Sequence, residues 1–465
     1  MISSRLSAQD ASFVFGEDAR IPLHVGCLGT MEAAPVRKED GSIDIERLRA
    51  GIAERLHLVP QFRRRLAEVP FDLGRPVWVD DIEFRIENHV HLTALPQPGQ
   101  HRQLLDLMGR IQSGMLDRSR PLWEFYFVDG LDGGRNLGII TKIHHALIDG
   151  TAGVELGMLL FDMTPEPRRF EPAPWQPAPA AGAFELLLDA WSRTTTDAVA
   201  FVKATLEAVR KPSKPIEHLR KFSRALETLT SDYDRLPFNH QVSSRRAFET
   251  VSLPLEDVLA AKRVVNGATV NDVALAAVAG GLRRYLNDRG MDPDEFQRVK
   301  TLVPVDNRAD GDTSPGCDVS VFVLELPVDE PDPVERIRFV TQRSRLAKQL
   351  DLADGANMWA RVTSALPTPM LRLASWFQFR GLMNNANLMI SNVRGPTTPF
   401  YSFGAKVHGF FPYFGVQDGL GLNLVLFSYD GKLLIGITAD PLLVPDLGML
   451  AQELQKSFGE LTTIV

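Results

Sequence analysis

His144 and His145 stand side by side and open the stretch His144-His145-Ala146-Leu147-Ile148-Asp149-Gly150. A neutral imidazole near pH 7 can take a proton from a hydroxyl or an amine, so either histidine is a candidate general base. An aspartate four residues on can brace the turn, by pairing with an arginine or by capping the next helix. Gly150 after it is free to take a positive φ. The plain alternative is two ordinary polar histidines at a strand end, with Asp149 no more than a cap.

The elements around the pair must hold it. Asn136 to Ile143 has the apolar and β-branched content of a strand, and Thr151 to Met163 has the apolar side of a helix. A strand end is a stiff mount. Side chains alternate between its faces, so if the strand runs into the pair, His144 and His145 point opposite ways. One can then face a cavity while the other braces the core.

The whole chain narrows the choice of chemistry. Its 465 residues suffice for two or three domains, and 44% hydrophobic with 23% charged residues is ordinary for a globular protein. A net charge of −7 argues against a general nucleic-acid binder, so an anionic ligand such as CoA needs a local basic patch. Cys27 and Cys317 form no CxxC and read as buried thiols in a reducing compartment. The first residues lack the basic start and apolar run of a signal peptide, and no apolar run reaches the roughly 20 residues of a membrane span. A cytoplasmic protein is expected, with peripheral contact at the inner membrane face or lipid bodies left open. There is no GxSxG, P-loop, GxGxxG or HExxH. The other histidines show no metal-ligand spacing; His89 and His91 share a strand face without a third ligand, so no metal is expected.

In chain order, strand-like runs at 24–31, 76–80 and 121–128 alternate with helical periodicity at 45–56 and 103–116. The arginines of Phe62-Arg63-Arg64-Arg65-Leu66 read as a solvated face or, less simply, as a phosphate contact. Residues 165–180 are rich in proline and read as an extended linker, followed by connecting helices to about 229. These helices either tie two domains together or rest on lipid. Beyond 241 come strands at 247–253, 302–305, 318–326, 388–392, 421–429 and 432–439. Helices are expected at 255–264, 268–282, 333–350 and 447–461, and Asp430-Gly431 reads as a hairpin turn. Thr269 or Asn271 is placed to cap the almost wholly apolar helix that follows. The expected organisation is an N-terminal domain over 1–164, a linker and connecting helices over 165–240, and a C-terminal domain over 241–465.

The pattern His-His-x-x-x-Asp-Gly resembles the signature of the CoA-dependent acyltransferase superfamily, and other pieces narrow the resemblance. Leu6-Ser-Ala-Gln-Asp10, His24-Val-Gly26, Pro121-Leu-Trp123, Val270-Asn-Asp-Val273, Val303-Pro-Val305 with Arg308, Ser391-Asn-Val-Arg-Gly-Pro396 and Asp418-Gly-Leu-Gly-Leu-Asn423 fall in one order. That order resembles the bacterial wax ester synthase/diacylglycerol acyltransferase family nearly end to end. Arg394, Asp306-Asn307 and Gly316-Cys317 depart from it, which bears on substrate preference more than on the reaction.

The resemblance implies an α/β fold of two chloramphenicol-acetyltransferase-like domains, with mixed sheets flanked by helices and a channel between them. It implies His145 as general base, with His144, Asp149 and Gly150 as motif support and no cofactor beyond acyl-CoA as substrate. Trp123, Asn271, Asp272, Arg308 and Asn392 are candidates to line the substrate channel or to serve structure alone; Arg308 is a candidate partner for Asp149. The implied reaction moves a long-chain acyl group to diacylglycerol. The alternatives are a wax ester synthase using fatty alcohols and a catalytically weak lipid-binding relative.

Overall fold

The computed structural model describes residues 4–147, 157, 159–170, 175–179, 182, 184–188, 232–306, 319–349, 366–381 and 385–462. Asp149, Gly150, Arg308, Cys317 and most of the expected connecting helices lie outside these residues.

Two six-stranded mixed sheets carry the fold. The strands, in chain order, are β1 (Ser4–Arg5), β2 (His24–Glu32), β3 (Arg64–Ala67), β4 (Val77–Asp80), β5 (Val90–Ala94), β6 (Trp123–Leu131), β7 (Asn136–His144), β8 (Ala247–Pro254), β9 (Val299–Asp306), β10 (Val319–Leu326), β11 (Leu388–Val393), β12 (Tyr401–Ser402), β13 (Ala405–Phe414), β14 (Leu422–Tyr429) and β15 (Lys432–Ala439). The first sheet runs β12-β13-β2-β7-β6-β5, and the second β10-β9-β11-β14-β15-β8; β1, β4 and β3 form a small third sheet. In the first sheet only β5 and β6 are parallel. In the second, β11 lies parallel to both β9 and β14. Helices flank both sheets, as the α/β reading requires.

Strand β7 lies between β2 and β6, and all but its first residue are buried. This explains why its apolar residues do not alternate strictly with polar ones: a strand covered on both faces has no solvent side. In β6, Trp123, Phe125 and Phe127 enter one core, while Tyr126 and Val128 pack on the other side with Leu104 and Met108 of the helix His101–Ser113.

The sheets do not follow the sequence halves. Strand β13 leaves the C-terminal half and pairs antiparallel with β2, from Val407 opposite Met31 to Phe414 opposite Val25. Glycine lets the two sheets touch there: a Cβ at Gly436 of β15 would collide with the Pro412 carbonyl of β13. Arg20 adds a charged link, meeting Asp418 at 3.1 Å and donating to the Val242 carbonyl at 2.8 Å.

In the second half, the helix Val270–Asp288 is buried along most of its length. Thr269 caps it: its hydroxyl accepts from the Asp272 N–H, and the Asp272 carboxylate accepts from the Thr269 N–H. Such a cap contributes about 1 kcal/mol. The described part of the proline-rich segment packs on the first domain. Phe170 and Trp175 sit under the guanidinium groups of Arg55 and Arg63, at 5.7 and 5.2 Å. Arg64 pairs with Asp80 at 3.1 Å, so this arginine run serves packing and ion pairing here.

Candidate active site

The histidine pair sits where β7 ends. His144 is the last residue of β7 and lies opposite His24, the first of β2. The chain then makes one 3-10 turn, His145–Leu147. Its backbone is held on both sides: His145 N–H donates to the Leu23 carbonyl at 2.9 Å, and Ala146 N–H donates to His144 Nδ1 at 3.0 Å.

The two imidazoles enter different surroundings. His144 is fully buried, with Nε2 3.4 Å from Glu17 Oε2. His24 Nε2 lies 3.3 Å from Glu17 Oε1. These are close approaches without the alignment of a hydrogen bond. Glu17 also accepts from the Leu23 N–H at 3.1 Å and from Arg118 at 2.9 Å. Burial raises the Glu17 carboxyl, but the contacts with His144 and His24 outweigh it and hold the group well below the usual carboxylate range. Burial pulls His24 down to about 4, against the pull of Glu17.

His145 is half-buried between aromatic rings. Phe13 stacks on it with centroids 3.8 Å apart and 16° between planes, and Phe414 of β13 meets it edge-on at 5.7 Å. Its Nδ1 is buried without a hydrogen-bond partner among the described residues, which leaves Nε2 as the nitrogen a substrate can reach. Burial pulls the imidazole down to about 4, so His145 is neutral at pH 7. A neutral ring at a rigid strand end, in an apolar slot, can accept a hydroxyl proton.

Trp123 is fully buried and stacks on His89 at 4.6 Å, and its indole N–H donates to the Phe62 carbonyl at 2.8 Å. Its place is in the core behind β7, where it pairs with Ile143. Asp272 serves the helix cap described above, although its Oδ1 is buried without a partner among the described residues. Asn271 is half-buried in the first turn of the same helix. Asn392 is half-buried within β11 and pairs with Leu426, so it sits in a strand and not in a turn. His89 and His91 do not share a strand face: His89 precedes β5 and stacks on Phe84, while His91 stacks on Tyr126.

Sequence reasoning missed Glu17, Arg118, Phe13 and Phe414. Glu17 follows an apolar helix beside Asp18, and nothing in its spacing ties it to a residue 127 positions later. His24 was singled out only through His24-Val-Gly26.

A cleft of about 240 Å3 opens between the sheets at the opposite end of β7, lined by Thr30, His101, Asn136, Ser252, His408 and Lys432 among others. At about 3.3 Å per residue it lies on the order of 26 Å along the strand from His144. Among the described residues no group of three or more His, Cys, Asp or Glu side chains is placed to hold a metal ion, and no helix is long and apolar enough to cross a membrane.

Comparison with known proteins now bears on this geometry. The family model of the wax ester synthase/diacylglycerol acyltransferase catalytic domain matches residues 6–274, and that of the WS/DGAT C-terminal domain matches residues 316–462. The probable diacylglycerol O-acyltransferase tgs1 of Mycobacterium tuberculosis is 31% identical over 470 residues, covering 99% of this chain and 96% of that protein. Its relative tgs2 from the same organism is 31% identical over 467 residues, covering 98% of each. The structure of the wax ester synthase/diacylglycerol acyltransferase from Marinobacter aquaeolei VT8 superposes with a TM-score of 0.70 at 25% identity, covering 98% of both chains. The first condensation domain of the CDA synthetase shares the fold, with a TM-score of 0.57 at 17% identity over 99% of this chain and 97% of that one. Matched by two family models and by relatives along nearly its whole length, the chain belongs to the wax ester synthase/diacylglycerol acyltransferase family.

Proposed function

We propose that the protein transfers a long-chain acyl group from acyl-CoA to the hydroxyl of diacylglycerol, forming triacylglycerol, with His145 as general base. Family membership and the names of its relatives support the reaction class. The observation that carries the residue assignment is the position of His145: neutral, stacked between Phe13 and Phe414, at the end of a buried strand.

In this reading His145 Nε2 takes the hydroxyl proton as the oxygen attacks the thioester carbonyl. The tetrahedral oxyanion collapses, the C–S bond breaks, and the imidazolium returns the proton to the departing sulfur. The ester and free CoA thiol balance the reaction without an acyl-enzyme or a cofactor. A general base contributes on the order of 10²–10⁴-fold, so positioning and oxyanion donors supply the rest.

CoA thiol release from palmitoyl-CoA tests the proposal, with diacylglycerol or a long-chain alcohol added separately. Release that needs diacylglycerol supports it. Release with alcohol alone makes the protein a wax ester synthase, and no release with either makes it a weak lipid-binding relative.

We propose further that the protein meets its acceptor at a lipid surface. The helix Thr368–Phe379 supports this, because it is apolar on both sides. Leu371 and Phe379 face inward, while Met370, Leu373, Trp376 and Phe377 are exposed. Arg372 reaches Asp72 at 2.7 Å, which brings exposed Phe71 and Leu73 beside it. A two-sided apolar helix in water calls for a further partner. Co-sedimentation with diacylglycerol-containing vesicles, lost on Trp376→Asp and Leu373→Asp together, is the expected result; equal sedimentation of both proteins would remove this surface from the reading.

A further inference from the structure

Glu17 touches both histidines of the first sheet's end and the backbone that presents His145. The Ala146 N–H donates to His144 Nδ1 at 3.0 Å, so that nitrogen must be bare. A ring with a bare Nδ1 carries its proton on Nε2, and Nε2 faces Glu17 Oε2 at 3.4 Å. A small rotation closes that gap to a hydrogen bond. The other oxygen accepts from the Leu23 N–H at 3.1 Å, and the Leu23 carbonyl in turn accepts from the His145 N–H at 2.9 Å. One carboxylate thus reaches the backbone on both sides of His145: the Ala146 N–H through the His144 ring and the His145 N–H through Leu23.

The carboxylate's charge is met by Arg118, which donates to Oε2 at 2.9 Å and to the Val14 carbonyl at 2.9 Å. That tie also fixes the end of the helix Ala8–Gly16, whose Phe13 stacks on His145. Among the described residues, the other titratable groups facing the cluster are His24, 3.3 Å from Oε1, and the buried Lys142, with Glu124 beyond it. With Arg118 balancing Glu17, neither histidine has to carry a positive charge. A proton on His144 would place a cation one residue from the base.

We infer that Glu17 is the positioning residue of this site: with Arg118 as its counter-charge, it holds His144 in the neutral Nε2–H tautomer and fixes the turn that presents His145. The inference rests on the general-base reading of His145 and assigns the device that sustains it.

The test uses Glu17→Gln, Glu17→Asp and Arg118→Met in the full-length protein, beside His145→Ala. Glu17→Gln should lower kcat roughly 10–100-fold with the KM for palmitoyl-CoA within about twofold, because it loosens the base without touching acyl binding. Glu17→Asp keeps the charge and should recover part of that loss. Arg118→Met should remove the tie that holds the Glu17 carboxylate and lower kcat in the same sense as Glu17→Gln, again with little change in KM. Nitrogen-15 NMR of the histidine rings in the unaltered protein should show His144 as the Nε2–H tautomer, a readout that stands even if a variant misfolds. An Nδ1–H tautomer, or an unchanged kcat in Glu17→Gln, overturns the inference. Full turnover in His145→Ala would instead remove the general-base reading, while the tautomer still reports on Glu17.

Discussion

The buried polar groups of the two sheets are treated in opposite ways. In the second sheet, Asn387 accepts from the Lys300 N–H at 2.8 Å and donates to the Asp234 carbonyl and Asn239 Oδ1, both at 2.7 Å. Asn239 donates to the Asn387 and Gly419 carbonyls at 2.7 and 2.8 Å. Asn423 accepts from the Met389 N–H at 3.2 Å and donates to the Gly415 carbonyl at 2.5 Å. At the end of the first sheet, both His24 nitrogens, His144 Nε2 and His145 Nδ1 are buried without hydrogen-bond partners among the described residues. Saturated amides fix a backbone and have nothing left to offer. Under-satisfied imidazoles cost stability and keep a proton site available, which is the usual mark of chemistry.

If that contrast is right, substitutions in the two regions must separate activity from stability. The largest effect is expected from His145→Ala, a loss of about 10²–10⁴-fold in acceptor-dependent thiol release with a stability change of no more than about 1.5 kcal/mol, the worth of its stack on Phe13. Asn387→Ala should do the reverse. It strands the Lys300 N–H, the Asp234 carbonyl and Asn239, so urea unfolding should show a loss of about 2–4 kcal/mol, with kcat of the folded protein within about twofold. Loss of activity without loss of stability in Asn387→Ala would break the comparison.

Two smaller effects sharpen it through pH. His24 and His145 are each depressed from 6.5 to about 4 in the folded protein. Between those values the unfolded chain binds more protons, so their contribution to stability is present above 6.5 and is lost as pH falls toward 4. Urea midpoints measured across that window should fall with pH. In the general-base reading proposed above, protonated His145 does not turn over, so the acid limb should lie near 4 and well below the 6.5 of a free imidazole. The smallest effect is expected for Phe13→Ala, a loss of a few-fold in kcat, since one aromatic stack is worth about 0.5–1.5 kcal/mol. Opening that face to water should move the acid limb up toward 6.5; an unmoved limb would mean that the Phe13 stack does not set the pKa.

Much of this molecule could be read locally. Strand β7 announced itself because a strand covered on both faces has no polar side, and the helix Val270–Asp288 because its apolar run follows a capping threonine. The Asp430-Gly431 turn was legible because both residues take positive φ, at 44° and 73°, and few residue pairs do so cheaply. The helix Thr368–Phe379 was not legible, because apolar residues on both its sides blur the period that marks an amphipathic helix. Strand β13 also escaped notice, since Gly409 and Pro412 interrupt its pattern.

The sequence by itself determined which residue could act: a histidine pair at the end of a buried strand, in an order of motifs that points to acyl transfer. Only the tertiary structure decided which histidine is exposed to chemistry and which is tied down. That division depends on Glu17 and Phe13 from the first helix, Arg118 from a loop before β6, and Phe414 from a strand that crosses from the other half. These partners lie from 26 residues (Arg118 to His144) to 269 residues (Phe414 to His145) from the histidine pair. No local pattern encodes such distances; they arise when two cores bury their faces and the chain between them closes.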